Sequence, residues 1–86
     1  MLRKYLLTDT LLFVKATQLD KGAIATVTGL VFDVMSGRLM SLGIRKGAQI
    51  QRLRKTTGGG ILFRVEDHRV VLHRSLGELI EVREEK

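Results

Sequence analysis

The stretch Arg38-Leu39-Met40-Ser41-Leu42-Gly43-Ile44-Arg45-Lys46-Gly47 leaves the chain little freedom, because a helix, its stop and the turn into a strand are all written into it. Met35, Leu39 and Leu42 recur at spacings of four and three, which puts one apolar stripe on one helix face. Asp33 stands where its carboxylate can accept the free N–H groups of the first turn, so it is expected to be the N-cap. Gly43 falls where a left-handed backbone is required and a Cβ would be penalised. Ile44 then follows where a Schellman stop folds an apolar side chain back against the last turn, here against Leu39. Arg45 and Lys46 set positive charge beside the negative end of the helix dipole. Gly47 marks a second turn before the next strand.

The rest of the chain reads as short strands. Ala23 to Leu30 favours β structure, with Ala25 and Val27 on one face and Ile24, Thr26 and Thr28 on the other. Ala48 to Lys55 is strand-like, but Ile50 and Leu53 are three apart, so a bulge or strong coiling is needed to bring both to the core. Thr56-Thr57-Gly58-Gly59-Gly60 is a loop. Ile61, Phe63 and Val65 alternate with Leu62 and Arg64, Glu66 to Arg69 reads as a hairpin turn, and Val70-Val71-Leu72 returns. Ser75-Leu76-Gly77-Glu78 has capping-box spacing and predicts one helical turn. Leu79 to Arg83 closes the series as a strand.

Five short strands with one early helix and one late helical turn describe a mainly β fold, a small β-barrel. The absence of long helices between strands argues against a parallel α/β sheet. Ahead of it, residues 1–16 form an N-terminal extension, strand or helix, and residues 17–86 the barrel. Thr17 to Gly22 reads as a turn. Leu11, Leu12, Phe13 and Val14 are a candidate extra edge strand, covering the barrel's own edge or pairing with a second copy to make a homodimer.

A single domain of 86 residues and 9.7 kDa can bury one modest core. With no cysteine, thiolate metal sites and disulfides are excluded. No apolar run reaches the length of a membrane-spanning helix, and the N-terminus lacks the pattern of a secretory signal, so the expected address is cytoplasmic. The formal net charge is +6, distributed unevenly: residues 1–60 hold ten Lys/Arg against three Asp, and residues 61–86 hold five against six Asp/Glu. A basic face can meet nucleic acid, but one Tyr and three Phe give few stacking platforms, which disfavours that partner.

Chemistry is sparse. Gly58-Gly59-Gly60 precedes a strand instead of opening a helix, so it is a hairpin loop and not a phosphate cradle. His68, at a turn tip, and His73, at a strand end, are the weak metal candidates, short of the three or four converging ligands a transition metal takes. Ser36, Ser41 and Ser75 are accounted for by helix composition or capping, and no substrate, cofactor or catalytic set is indicated, so the chain reads as a non-enzyme. Met40 lies about 130° from the Met35/Leu39/Leu42 stripe at 100° per residue. It should face away from the core, with Arg38 and Arg45 as the charged rim of a partner contact. Leu11 and Phe13 complete the candidate partner-binding residues.

The order of these elements resembles the FeoA family. The residues that carry the likeness are Arg38-Leu39-Met40-Ser41-Leu42-Gly43-Ile44-x-x-Gly47, Phe63-Arg64-Val65, Val71-Leu72-His73-Arg74 and Leu79-Ile80-Glu81-Val82, in a match running from Thr17 to Arg83. The resemblance implies an SH3-like barrel with a helix inserted after the first strand. It also implies a small cytosolic accessory of ferrous iron transport, a protein-interaction module acting on FeoB, the membrane iron transporter with a cytosolic GTPase domain. A similar domain forms the C-terminal part of iron-dependent repressors, so the alternative is a stand-alone regulatory or nucleic-acid-binding barrel. The chain departs from the family pattern where Lys46-Gly47 replaces Pro-Gly and where Thr57-Gly58-Gly59-Gly60 replaces a proline-bracketed Leu-Gly-Asp loop. Without proline that loop is expected to be more mobile.

Overall fold

The computed structural model describes residues 13–31 and 33–85. In chain order they form β1 (Phe13–Lys15), a 3₁₀ turn (Ala16–Gln18), β2 (Ile24–Leu30), α1 (Ser36–Ser41), β3 (Gln49–Lys55), β4 (Gly60–Val65), β5 (His68–His73), α2 (Arg74–Gly77) and β6 (Ile80–Glu84). The six strands make one antiparallel sheet in the order β1-β6-β2-β3-β4-β5. Coiled around its own inner face, this sheet is a small SH3-like barrel. No helix among the described residues is long and apolar enough to cross a membrane.

Strand alternation builds the core. Ala25 and Val27 point inward from β2, Ile61, Phe63 and Val65 from β4, and Ile80 and Val82 from β6, all at most 2% exposed. Leu39 and Ile44 join the same cluster, so the helix and its stop are packed into the barrel. Ala16, read from sequence as the end of the N-terminal extension, and Leu19, read as part of a turn, are also fully buried. The 3₁₀ turn tucks them under α2, where the Thr17 hydroxyl donates to Glu78 Oε2 at 2.9 Å.

Two irregularities coil the sheet. β2 shifts register between Val27 and Gly29, and β3 between Arg52 and Arg54. The β3 bulge is the one that the broken Ile50/Leu53 spacing demanded, but it does not bring both residues inside. Ile50 is buried, whereas Leu53 is half-buried and outside the core cluster, because the extra residue of a bulge is left without a partner across the ladder.

The β4–β5 hairpin is tighter than expected. Only Glu66 and Asp67 form its loop, and His68 and Arg69 already belong to β5. Glu66 carries a φ of 54° at the first central position, which two-residue hairpins often give to glycine. The same residue ties the hairpin to β3: its N–H donates to Gln49 O at 2.9 Å, and its carboxylate accepts from Gln49 N–H at 2.7 Å. Glu66→Ala keeps the backbone strain and loses the carboxylate bond, so it should cost about 1 kcal/mol. Glu66→Gly relieves the strain while losing that bond, and should fall within roughly 0.5 kcal/mol of the parent. Urea denaturation of the pair checks the difference.

α2 starts differently from the reading of Ser75 and Glu78 as a capping box. Its N-cap is His73, whose Nδ1 accepts from Ser75 N–H at 3.2 Å. Glu78 is engaged by Thr17 instead.

Candidate partner-binding surface

The candidate surface is the helical knuckle from Asp33 to Gly47, and its local chemistry explains its shape. Asp33 Oδ1 accepts from Met35 N–H at 2.9 Å, and the Ser36 hydroxyl donates to Asp33 O at 2.6 Å. Asp33 therefore closes the turn that leads into α1, while the N-cap position falls on Met35. At the other end Gly43 has a φ of 89°. Gly43 N–H donates to Met40 O and Ile44 N–H to Leu39 O, both at 3.0 Å, which is the paired bonding of a Schellman stop.

Three attachments hold the knuckle to the barrel. Leu39 and Ile44 are each 0% exposed. Gly47 N–H donates to Val27 O at 2.8 Å. His68 reaches across from β5 with Nε2 3.0 Å from Leu42 O, and because a carbonyl only accepts, Nε2 carries the proton.

With Leu39 inward, 100° per residue places Arg38 and Met40 on opposite flanks of α1, with Gly37 and Ser41 on the crest between them. Arg38 and Met40 are both exposed, as are Arg45 and Lys46 beyond the stop. Arg38 therefore lies across the helix from Met40. The surface is a low crest of small residues between a cation and a thioether. Val34, in the turn before the helix, is 93% exposed and was missed from sequence. Its signal was an apolar residue past the end of β2 that belongs to no periodic stripe. Segment 33–47 carries three cations against one carboxylate. Leu11 lies outside the described residues, and Phe13 is described only as the β1 residue in register with Arg83.

The two histidines are separated. They occupy opposite ends of β5, roughly 17 Å apart at the usual strand rise and on opposite faces. His68 engages Leu42 and lies 3.7 Å from Asp67 Oδ1, while His73 caps α2. They cannot share a metal, and among the described residues no group of three His, Cys, Asp or Glu is placed to hold one. A groove of about 460 Å³ beside β1 is lined by Val14, Lys15, Gln18, Thr28 and Glu81. Its charged groups are joined in the Lys15–Glu81 ion pair at 3.5 Å, and no acid–base set converges there among the described residues.

Comparison with known proteins gives the knuckle a context. The chain is similar over 85% of its length to the FeoA protein of Chlorobium tepidum, at 28% identity, a TM-score of 0.76 and 71% of that chain. It resembles the FeoA of Stenotrophomonas maltophilia, solved with zinc and described as a prokaryotic SH3 domain protein, at 24% identity, a TM-score of 0.72, and 85% and 96% of the two chains. The IdeR of T. acidophilum shares the fold over 85% of this chain and 34% of its own, at 16% identity and a TM-score of 0.73. No curated protein sequence gives a significant match. The family model for the FeoA domain matches residues 14–84, from β1 to the end of β6, and the chain belongs to the FeoA family.

Proposed function

We propose that this protein is a small cytoplasmic accessory of ferrous iron uptake that docks through its knuckle on the cytosolic GTPase domain of a FeoB-type transporter, with no covalent chemistry of its own. The observation that carries the reading is the exposure of Val34 and Met40 on a segment whose base is pinned at Leu39, Ile44, Gly47 and Leu42. A rigid base presents apolar side chains without the ordering cost that a loose loop would incur on binding. Gly37 and Ser41 on the crest let a partner approach closely, and Arg38, Arg45 and Lys46 favour an acidic rim on that partner. The family supplies the link to ferrous iron transport.

The test is direct binding to the transporter's purified cytosolic domain, with and without guanine nucleotide. Met40→Glu combined with Arg38→Glu and Arg45→Glu should weaken association at least about tenfold, the scale of losing anchor contacts. All three side chains are exposed, so the thermal midpoint should move by less than about 3 °C. Unchanged affinity of the triple variant would remove the knuckle from the interface.

A further inference from the structure

On the far side of the barrel from the core, the outer face of β3, β4 and β5 carries a different arrangement. Among the described residues β5 ends the sheet and pairs with β4 alone. Its register with β4 runs unbroken from Val65↔His68 to Gly60↔His73, with no bulge. Arg74 N–H donates to Gly59 O at 3.2 Å, one step beyond that register. Antiparallel alternation then makes Leu72, Val70 and His68 the hydrogen-bonded partners of β4, and turns the N–H and C=O groups of Arg69 and Val71 toward the free edge. The strand has neither proline nor bulge, two devices by which edges are blunted.

The side chains along this edge share one sign. Arg64 and Arg69 stand directly opposite each other, an arrangement that is unfavourable for like charges. Both are exposed, and neither has an ion-pair partner among the described residues. The row across the sheet continues through Gln51 and Ile24 to Glu85, three strands from Arg64, whose carboxylate is already engaged by the Thr26 hydroxyl at 2.6 Å. The neighbouring row is Arg54, Leu62 and Val71, with Val71 58% exposed. The nearby acids are engaged at the turn, Glu66 with Gln49 and Asp67 beside His68.

We propose that the free edge of β5 is a docking strand for an acidic extended peptide of a partner protein, held by backbone pairing to Arg69 and Val71. An acidic side chain of that peptide would lie over Arg69 and Arg64 and relieve their repulsion, while an apolar side chain two residues away would cover Val71 and Leu62. Recognition is by strand addition, in which main-chain bonds supply affinity and alternate side chains supply selectivity. A second copy fits poorly, since two such edges would bring like charges together. Single-stranded nucleic acid fits less well than a peptide, because the open N–H and C=O groups call for a backbone of their own kind and no aromatic side chain of this face is described.

The test titrates the isotopically labelled full chain with a blocked heptapeptide in which glutamate and valine stand two residues apart with serine between them, so that both fall on one strand face, at low salt. Amide shifts should concentrate on β5 and leave the knuckle unmoved, with slower exchange at the Arg69 and Val71 amides. Arg64→Glu with Arg69→Glu should weaken binding at least about tenfold and create binding to the corresponding lysine–valine peptide. Arg69→Gln serves as a milder variant should the double change disturb folding, and its affinity should also drop. Shifts centred elsewhere, absence of new protection at Arg69 and Val71, or unaltered affinity in the variants would each overturn the proposal. So would an oligonucleotide of equal charge reproducing the same shifts and protection, or a peptide-independent doubling of solution mass through this edge. These residues are separate from the knuckle, so either surface can fail without the other.

Discussion

Leu39→Ala is expected to lower the unfolding free energy by about 3 kcal/mol, within the range for emptying a well-packed leucine site. Leu39 is the one fully buried side chain of α1, and its carbonyl receives the Schellman bond from Ile44 N–H. A helix of six residues has no stability of its own, since isolated helices much longer than this are already marginal in water. The substitution therefore removes both the transfer free energy and the anchor that keeps α1 formed. In a domain whose total stability is on the order of 5–15 kcal/mol, that is a large share, and the thermal midpoint should drop by roughly 15 °C. Amide exchange should show where the loss falls: the knuckle loses protection first, while β4 and β6 hold. Partner binding should weaken at temperatures where the sheet remains folded. Leu39→Met, which conserves volume, should cost less than about 1.5 kcal/mol. A loss under about 1 kcal/mol for the alanine variant would mean that the knuckle stands without its core contact.

The second large effect is expected at Arg52. Its Nη1 donates to Leu19 O at 2.7 Å and to Thr17 O at 3.2 Å, tying β3 to the 3₁₀ turn. Its Nε is buried without a partner. Arg52→Ala leaves two carbonyls without their charged donor and should cost about 2–3 kcal/mol, the usual scale for hydrogen bonds to a charged group. Arg52→Lys can restore a single donor but not the planar geometry, so it should recover only part of the loss. Because the bonds end on Thr17 and Leu19, exchange should rise first around Ala16–Gln18 and in β1, ahead of the β3–β4 ladder. Denaturation curves for the two variants settle it, and an alanine variant within about 0.5 kcal/mol of the parent would show that the carbonyls find other donors.

What sequence could reveal followed the range of the forces involved. The stop at Gly43 was legible because all its signals lie within six residues: a glycine needing positive φ, an apolar residue after it and an apolar residue before it. The inward sets of β2 and β4 were legible because alternation is itself local. Arg52 was not, although it shares the inward parity of Ile50, because an arginine in a strand reads as outward until the carbonyls of a distant turn are placed beside it. The same holds at the start of α2. Ser75 and Glu78 have the spacing of a reciprocal cap, but Glu78 is taken by Thr17, 61 residues earlier in the chain, and His73 fills the vacancy. The knuckle's position was readable and its exposed face only in part. Helix geometry puts Met40 outward from sequence alone, whereas Val34 sits in a turn where no period assigns a direction.

The placing of β6 governs when this sheet can form. It lies between β1 and β2, and its pairings join Phe13 to Arg83 and Thr26 to that same Arg83. As the polypeptide grows, β2 to β5 can zip into a ladder through successive hairpins, yet the inner edge of β2 stays bare until Ile80–Glu84 has been made. Closure must then bridge fifty residues or more, the kind of distant pairing that slows folding. Until that strand arrives, the nascent chain displays an unsatisfied β2 border to whatever else is nearby.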